Sequence, residues 1–309
     1  MDAFVVVTST RAPVEGASSH PTRILSWNAD GLVCRAEKGD LEGFYKAVEE
    51  HKCDCVMIQE VRAKPADRGV VRTIQKRLKE FRMWESLHPS KRYSGVVTFL
   101  KDTVVDPQRV FYSFHDGSWS GAHHPEGRVI AMEFDSLFVL NTYTPNSGNK
   151  HERRVVWDEG ITRALAATSL PIVYGGDLNI APNEIDVSDP ARFKGVPGFL
   201  PAEQDRFRTL LRDSGLVDAV HRLRKKKAEE QGKDVEAIYT WRGWNPRGRL
   251  AGGGMRLDHF LTSPQIPVDS ATPVGTSRSS FFGSDHCPVL CVLRPVPAAG
   301  SKRKRQDGD

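Results

Sequence analysis

Short apolar, β-branched runs recur along the chain at Ile24–Trp27, Cys55–Ile58, Val96–Leu100, Val129–Phe134, Phe138–Tyr143, Ile172–Tyr174, Leu257–Thr262 and Val289–Leu293. Each has the length of a buried strand rather than of a helix, so the pattern predicts a large sheet or two. Between the runs the apolar period changes. After Pro201, Phe207, Leu210, Leu211 and Ser214 share one helical face, and Gly215 supplies a stop. A helix over Arg153–Ala167 aligns Trp157, Ile161, Ala164 and Leu165 on a stripe that continues to Thr168, with Glu152, Arg153 and Arg163 left in water. Leu41–Lys52 is a third helix, with Phe44 and Val48 facing inward. Asp135-Ser136 between two strand-like runs reads as a tight hairpin turn, so some strands are antiparallel. Mixed strands with covering helices favour a layered α/β sandwich over a doubly wound sheet. Neither G-x-G-x-x-G nor G-x-x-x-x-G-K-[ST] occurs, which removes the usual nucleotide-cradling loops.

From Arg23 to Arg294 no Pro- or Gly-rich linker is long enough to divide the chain, so a single domain over residues 23–294 is expected. With 309 residues, 39% of them apolar, it can bury a sizeable core. Residues 1–22, rich in Ser, Thr, Pro and Ala from position 8, read as a disordered arm. Residues 295–309 read as a basic, disordered tail. Its Lys302-Arg303-Lys304-Arg305 fits either a solubilising end or a nuclear address, with an organellar pool left open. Arg222–Glu236, with Lys225-Lys226-Lys227 and Glu229-Glu230, reads as a solvated helical surface or loop. No apolar run approaches the roughly 18 residues that cross a bilayer, so no membrane partner is expected. The net charge of +5 permits a polyanionic partner without requiring one. Five cysteines, odd in number and without C-x-x-C spacing, argue against a disulfide scaffold and a zinc site.

Polar sets stand at the edges of the apolar runs: Trp27-Asn28-Ala29-Asp30, Gln59-Glu60, Gly176-Asp177-Leu178-Asn179, Arg256-Leu257-Asp258 and Ser284-Asp285-His286. Taken alone, each reads first as a cap or turn. Together they supply the hard oxygen donors, the acid-base groups and the imidazole that a divalent-metal phosphoesterase needs. Glu60 is the first-choice ligand for Mg²⁺, with Asp30 and Asp285 as its neighbours and Mn²⁺ as a substitute ion.

The stretches ILSWNADGL (24–32), CVMIQEVRA (55–63), YSGVVTFL (93–100), EGRVIAMEFDSLFVLNTYTPNSG (126–148), VYGGDLNIAPNEID (173–186), MRLDHFLTS (255–263) and FGSDHCPVLCVL (282–293) carry a resemblance in order and spacing. The chain resembles the exonuclease III type of apurinic/apyrimidinic endonuclease, within the endonuclease/exonuclease/phosphatase superfamily. Trp-Asn, Gln-Glu, Gly-Asp-x-Asn and Ser-Asp-His are shared across that superfamily. Tyr143-Thr144-Pro145-Asn146, GGDLNIAPNEID and Arg256-Leu257-Asp258 point to abasic-site repair.

The resemblance implies a four-layered α/β sandwich, with two mixed, mostly antiparallel sheets face to face between helices. It implies a monomer that acts on duplex DNA containing abasic sites, hydrolysing the phosphodiester 5′ to the site with Mg²⁺. A 3′-phosphodiesterase or 3′–5′ exonuclease activity would accompany this. Glu60 would bind the metal with Asp30, Asp285 and Asn28, and Asp177, Asn179 and His286 also fall in the metal-binding set. Asp177 would act on the nucleophilic water or the leaving-group proton, and Asn179 would orient the water. His286, oriented by Asp258, and Tyr143 would meet the phosphate. Asn146, Arg256, Trp241, Met255 and Leu257 would contact substrate, the last three lining a recess for the flipped sugar. Arg62, Lys64, Arg153 and Arg256 are expected to meet phosphates. Met255 stands where many relatives carry Trp, and Asn149 where some carry a basic residue. Another superfamily phosphoesterase, acting on RNA or inositol phosphates, is the alternative enzyme; an inactive DNA-binding module is the alternative class.

Overall fold

The computed structural model describes residues 13–148, 151–244, 250–275 and 277–294; the start of the expected arm, the basic tail and Asn149 lie outside these. The strands in chain order are β1 (Arg23–Asn28), β2 (Cys55–Gln59), β3 (Phe81–Ser86), β4 (Val96–Lys101), β5 (Arg109–Phe111), β6 (Ser113–His115), β7 (Ser118–Ser120) and β8 (Val129–Glu133). They continue as β9 (Phe138–Tyr143), β10 (Ile172–Asp177), β11 (Val217–Asp218), β12 (Trp241–Trp244), β13 (Leu250–Met255), β14 (Asp258–Thr262), β15 (Val268–Pro273) and β16 (Val289–Leu293). The α-helices are α1 (Leu32–Lys38), α2 (Glu42–Glu50), α3 (Arg68–Arg77), α4 (His151–Ala166), α5 (Pro190–Phe193), α6 (Pro201–Ser214) and α7 (Ala219–Gln231).

One sheet has the order β15-β16-β1-β2-β4-β3, the other β11-β14-β10-β9-β8-β5, and β6–β7 and β12–β13 are separate hairpins. Within the two large sheets β1–β2 and β9–β10 are parallel, and the other pairs are antiparallel. Alternate residues of each central strand face opposite ways. Ile24, Met57 and Val96 of the first sheet meet Ile130, Val139, Val173 and Phe260 of the second in the middle layer. Leu25, Val56 and Val97 turn outward onto Leu32, Val33, Phe44 and Val71 of α1–α3. On the far side Val129, Leu140 and Tyr174 pack on Trp157 and Ile161 of α4 and Phe207 of α6. The result is helix, sheet, sheet, helix. Both faces of every central strand are apolar, so these strands read in sequence as continuous runs rather than alternating ones.

The strands legible as apolar runs are β1, β2, β4, β8, β9, β10, β14 and β16, the central ones. β3 and β15 at the edges of the first sheet, and β5 and β11 at those of the second, gave no such run. β15, for instance, alternates between buried and wet positions. One expectation is overturned: residues 13–22 are not a free arm, since the amides of Val14 and Ser18 donate to Asp102 O and Thr103 O, and His20 is buried. The charged stretch is a solvated helical surface as far as Gln231, the end of α7, whose cap is the Asp218 carboxylate on the His221 amide at 3.0 Å; Ala228 is inward and the three lysines are in water. Cys53, Cys55, Cys287 and Cys291 are buried and unpaired, and Cys34 is exposed. Among the described residues no helix is long and apolar enough to cross a membrane.

A glycine pair such as Gly175-Gly176 leaves room for a backbone or a phosphate to approach closely, and here the approach is by the fold itself. A Cβ on Gly176 would lie 2.1 Å from the Thr142 carbonyl oxygen of β9, and one on Gly175 would lie 2.7 Å from the Phe260 ring. Gly176 has a φ of +147°; Gly215, the helix stop, has a left-handed φ of +66° and open space around it. Gly215→Ala should therefore cost about 1–2 kcal/mol, the left-handed strain alone, whereas Gly176→Ala should cost about 3 kcal/mol or more. Urea midpoints of the two variants test the ranking, and equal shifts would show that β9 gives way.

Candidate active site

At one end of the sandwich the chain delivers a polar group from almost every central strand. β1 ends on Asn28, β2 runs into Glu60, β9 ends on Tyr143 and β10 ends on Asp177. β14 starts at Asp258, which pairs with Asp177 in the ladder, and Asp285-His286 lead into β16. Immediately past these ends the backbone turns sharply. Asp30, Glu60 and Asn179 all have positive φ, at 46°, 51° and 48°, in a region that costs a non-glycine residue about 1–3 kcal/mol. Local bonds hold them there: the Asp30 amide donates to Asn28 Oδ1 at 2.9 Å, Gly31 to Glu60 O at 2.9 Å, and Asn179 to Asp177 Oδ1 at 2.9 Å.

Asn28 is fully buried and joins the two sheets. Its Nδ2 donates to Asp177 Oδ2 at 2.8 Å and to Glu60 Oε1 at 3.1 Å, with His286 Nε2 at 3.5 Å. Asn179 is fixed by donation from Nδ2 to Thr144 O at 2.8 Å and by Asn146, which donates to its Oδ1 at 3.2 Å. The Tyr143 hydroxyl bonds to Glu60, and the Arg128 guanidinium lies 4.5 Å from its ring centre. Ser284 serves the backbone, donating to Asn28 O at 2.7 Å and accepting from the His286 amide at 3.0 Å.

His286 Nδ1 lies 2.8 Å from Asp258 Oδ2, and its Nε2 lies 3.9 Å from both Asp177 Oδ2 and Asp285 Oδ1. Burial works against the charged ring, yet Asp258 and Asp177 overcome it and hold His286 well above the ordinary histidine range. Asp177 is raised to about 7, chiefly by burial and further by Asp258, with His286 pulling the other way. Glu60 behaves differently: burial opposes its ionisation, but Arg62, Tyr143 and Asn28 outweigh that and keep it below the usual carboxylate range. Asp30 is raised by burial and by its neighbours Asp285 and Glu60, with Arg62 and Arg35 opposing.

Asp30, Glu60 and Asp285 thus form a knot of mutually repelling hard oxygen donors, which suits a divalent cation. Arg62 partly neutralises it, with Nη1 at 2.9 Å from Asp30 Oδ1 and Nη2 on Glu60. Among the described residues no three of His, Cys, Asp and Glu converge closely enough to enclose an ion by themselves. Hard carboxylate donors of this kind suit a divalent cation that keeps several of its waters.

Beside this knot Met255 and Leu257 pack with Ala181, Val187 and Phe193, and with the partly buried Trp241, Val196 and Phe199. The three expected lining residues therefore meet in one buried apolar cluster. Phe193, Val196 and Phe199 were missed, since they come from an irregular segment with no periodic signal. Arg128 under Tyr143 was missed for a similar reason: in sequence it only precedes a strand.

Arg256 requires correction. It is 0% exposed, and its guanidinium is taken up by Asp186 (2.7 and 3.1 Å) and Asp218 (2.7 Å), so it faces away from any substrate. Arg256 lies in the short connection between β13 and β14, and its neighbours Met255 and Leu257 pack instead in the apolar cluster. Of the other expected phosphate contacts, Arg153 pairs with Glu126 at 2.8 Å, and Lys64 begins a short 3₁₀ turn at Pro65–Asp67.

Residues 25–286 match the profile of the Endonuclease/Exonuclease/phosphatase family. The chain is 33% identical over 327 aligned residues to a DNA-(apurinic or apyrimidinic site) endonuclease of Arabidopsis thaliana, covering 90% of this chain and 86% of that protein. It is 28% identical to an exodeoxyribonuclease of Bacillus subtilis (88% and 99% covered). Among solved structures, AP endonuclease LMAP from Leishmania major superposes with a TM-score of 0.72 at 23% identity, covering 90% and 89%. The 3′ phosphatase NExo (D146N) from Neisseria, bound to product DNA hairpin, gives 0.69 at 23%, covering 88% and 99%.

Replacing Arg256 strands two buried carboxylates. Arg256→Met should destabilise the protein by about 3–5 kcal/mol in urea titrations. Any folded fraction should keep the wild-type salt dependence of DNA binding, and a slope reduced by roughly one ion would show that Arg256 does meet phosphate.

Proposed function

The chain belongs to the endonuclease/exonuclease/phosphatase family, and from that premise we propose that it is a DNA repair hydrolase which cuts the phosphodiester 5′ to an abasic deoxyribose in duplex DNA. The products are a 3′-hydroxyl and a 5′-deoxyribose-phosphate. The observation that carries the proposal is the apolar cluster of Trp241, Met255 and Leu257 directly beside Asp285 and His286, which we take as the wall of a recess for the flipped sugar. A sugar without its base fits such a recess, whereas a normal nucleotide overfills it. The names of the Bacillus and Neisseria relatives support an accompanying 3′-end activity.

The roles follow from the protonation states. Asp258 and Asp177 hold His286 above the ordinary histidine range, which favours donation from Nε2 to a phosphate oxygen over a role as base. Asp177 is the proton acceptor for the attacking water: it lies beside that imidazole, and its carboxylate is aimed by the Asn28 amide and the Asn179 backbone. The fixed amide of Asn179 orients the water, and the Tyr143 hydroxyl lies at the edge of the phosphate position. Mg²⁺ held by Asp30, Glu60 and Asp285, with Mn²⁺ as a substitute, would supply neutralisation of the charge that grows on the phosphate.

A labelled duplex with one tetrahydrofuran abasic analogue should be incised with Mg²⁺ and not with EDTA, while an intact duplex and inositol phosphates are left alone. No metal-dependent incision would sink the proposal. Asp177→Asn should lower turnover by roughly 10²–10⁴ without unfolding the protein. Because Asp177 acts ionised, kcat/KM should rise with pH through its pKa and then level. That limb should fall at about 7, where burial has raised Asp177 against the pull of His286, and it should vanish in Asp177→Asn. A limb that persists would reassign the base.

A further inference from the structure

Trp241 makes two contacts that belong to different parts of the site. Its ring packs on the Met255 and Leu257 wall of the recess. Its indole Nε1 donates to Asp285 Oδ2 at 2.9 Å. Among the described residues this is the only hydrogen bond to the Asp285 carboxylate, whose other oxygen faces His286 Nε2 at 3.9 Å. The backbone reinforces the link: Trp241 bridges His286, the Arg242 amide donates to Asp285 O at 2.9 Å, and the Cys287 amide donates to Thr240 O at 2.8 Å. Thr240 Oγ1 in turn accepts from the amides of Leu257 and Asp258, both at 3.0 Å. Asp285 is otherwise on a loop and about one-third exposed, so without the indole its carboxylate is free to rotate.

We propose that Trp241 is a positioning residue which aims the Asp285 carboxylate at the cation and, because the same ring walls the recess, couples binding of a base-less sugar to binding of the divalent ion. The inference rests on the function proposed above. A ring pressed by the sugar can shift only with its N–H, and the N–H carries the carboxylate with it. An interaction of this kind is reciprocal: an abasic duplex tightens the ion, and the ion tightens the abasic duplex by the same factor. An intact duplex, which leaves the recess empty, does not.

The test uses the full chain and Mn²⁺ as probe, read by loss of the free-ion electron paramagnetic resonance signal. No turnover is needed, and the tetrahydrofuran duplex carries a non-cleavable phosphorothioate at the scission point. Trp241→Phe keeps an apolar ring and removes the donor. It should bind Mn²⁺ roughly tenfold more weakly without DNA, the effect of losing one hydrogen bond to a charged group. The gain in Mn²⁺ affinity that the abasic duplex gives the wild type should shrink towards none. Benzothienylalanine at position 241, which keeps the shape of the indole and lacks its N–H, should behave like Trp241→Phe, and it replaces that variant if the smaller ring impairs folding. Wild-type Mn²⁺ affinity and wild-type coupling in the donor-free protein would overturn the inference. Failure of the wild type itself to bind Mn²⁺ or to prefer the abasic duplex would instead overturn the functional proposal beneath it.

Discussion

Every distance at the active end depends on two sheets holding one position against each other, and the Gln59–Asn141 amide pair sets that position. Gln59 Nε2, from β2, donates to Asn141 Oδ1, from β9, at 2.8 Å and to Ser26 Oγ at 3.1 Å. Asn141 Nδ2 donates onward to Val97 O and Thr98 Oγ1, both at 3.1 Å. Apolar packing between sheets is non-directional and tolerates sliding. A buried, fully paired amide network does not, because a small slip leaves donors without acceptors at about 1–3 kcal/mol each. Glu60 is the next residue after Gln59, so the lock sits directly under the acidic knot.

Sheet apposition then brings groups of opposite role together from separate sheets. Asn28 and His286 come from the first sheet, Asp177 and Asp258 from the second, and the contacts between them cross the gap. Burial makes each of these charges expensive singly, and that cost is why they act as a set. Carboxylates on the facing sheet raise the imidazole above its ordinary range, while burial raises Asp177 to about 7. Positive φ at Asp30, Glu60 and Asn179 places strained backbone at the same spot. The rigid scaffold sustains that strain, and in return the side chains project into the cleft rather than along the strands.

A second buried ionic set, Arg256 with Asp186 and Asp218, lies on the other side of the recess wall. Arg256 stands between Met255 and Leu257 in sequence and points away from both. Its carboxylate partners tie the segment after β10 and the cap of α7 to the start of β14. The recess is therefore braced from behind by charge and lined in front by apolar groups.

The sequence by itself determined the central strands, the helices over Leu41–Lys52, Arg153–Ala167 and after Pro201, and the polar residues that gather at the site. Buried-on-both-faces strands write continuous apolar runs, and strand-end polar residues interrupt them, so both are local signals. β5 and β15 escaped because wet positions interrupt them, and β3, although buried, because Arg82 and Glu85 break its apolar run. Side-chain direction also escaped. Arg256 in sequence is one more basic residue beside a catalytic motif, and only its pairing with Asp186 and Asp218 in the folded chain draws it into the core. Phe193, Phe199 and Arg128 reach the site through contacts distant in sequence, which no local pattern encodes. The partnership of Trp241 with Asp285 is of the same kind: residues 44 positions apart share a hydrogen bond because β12 pairs with the segment before β16, and that pairing exists only in the folded chain.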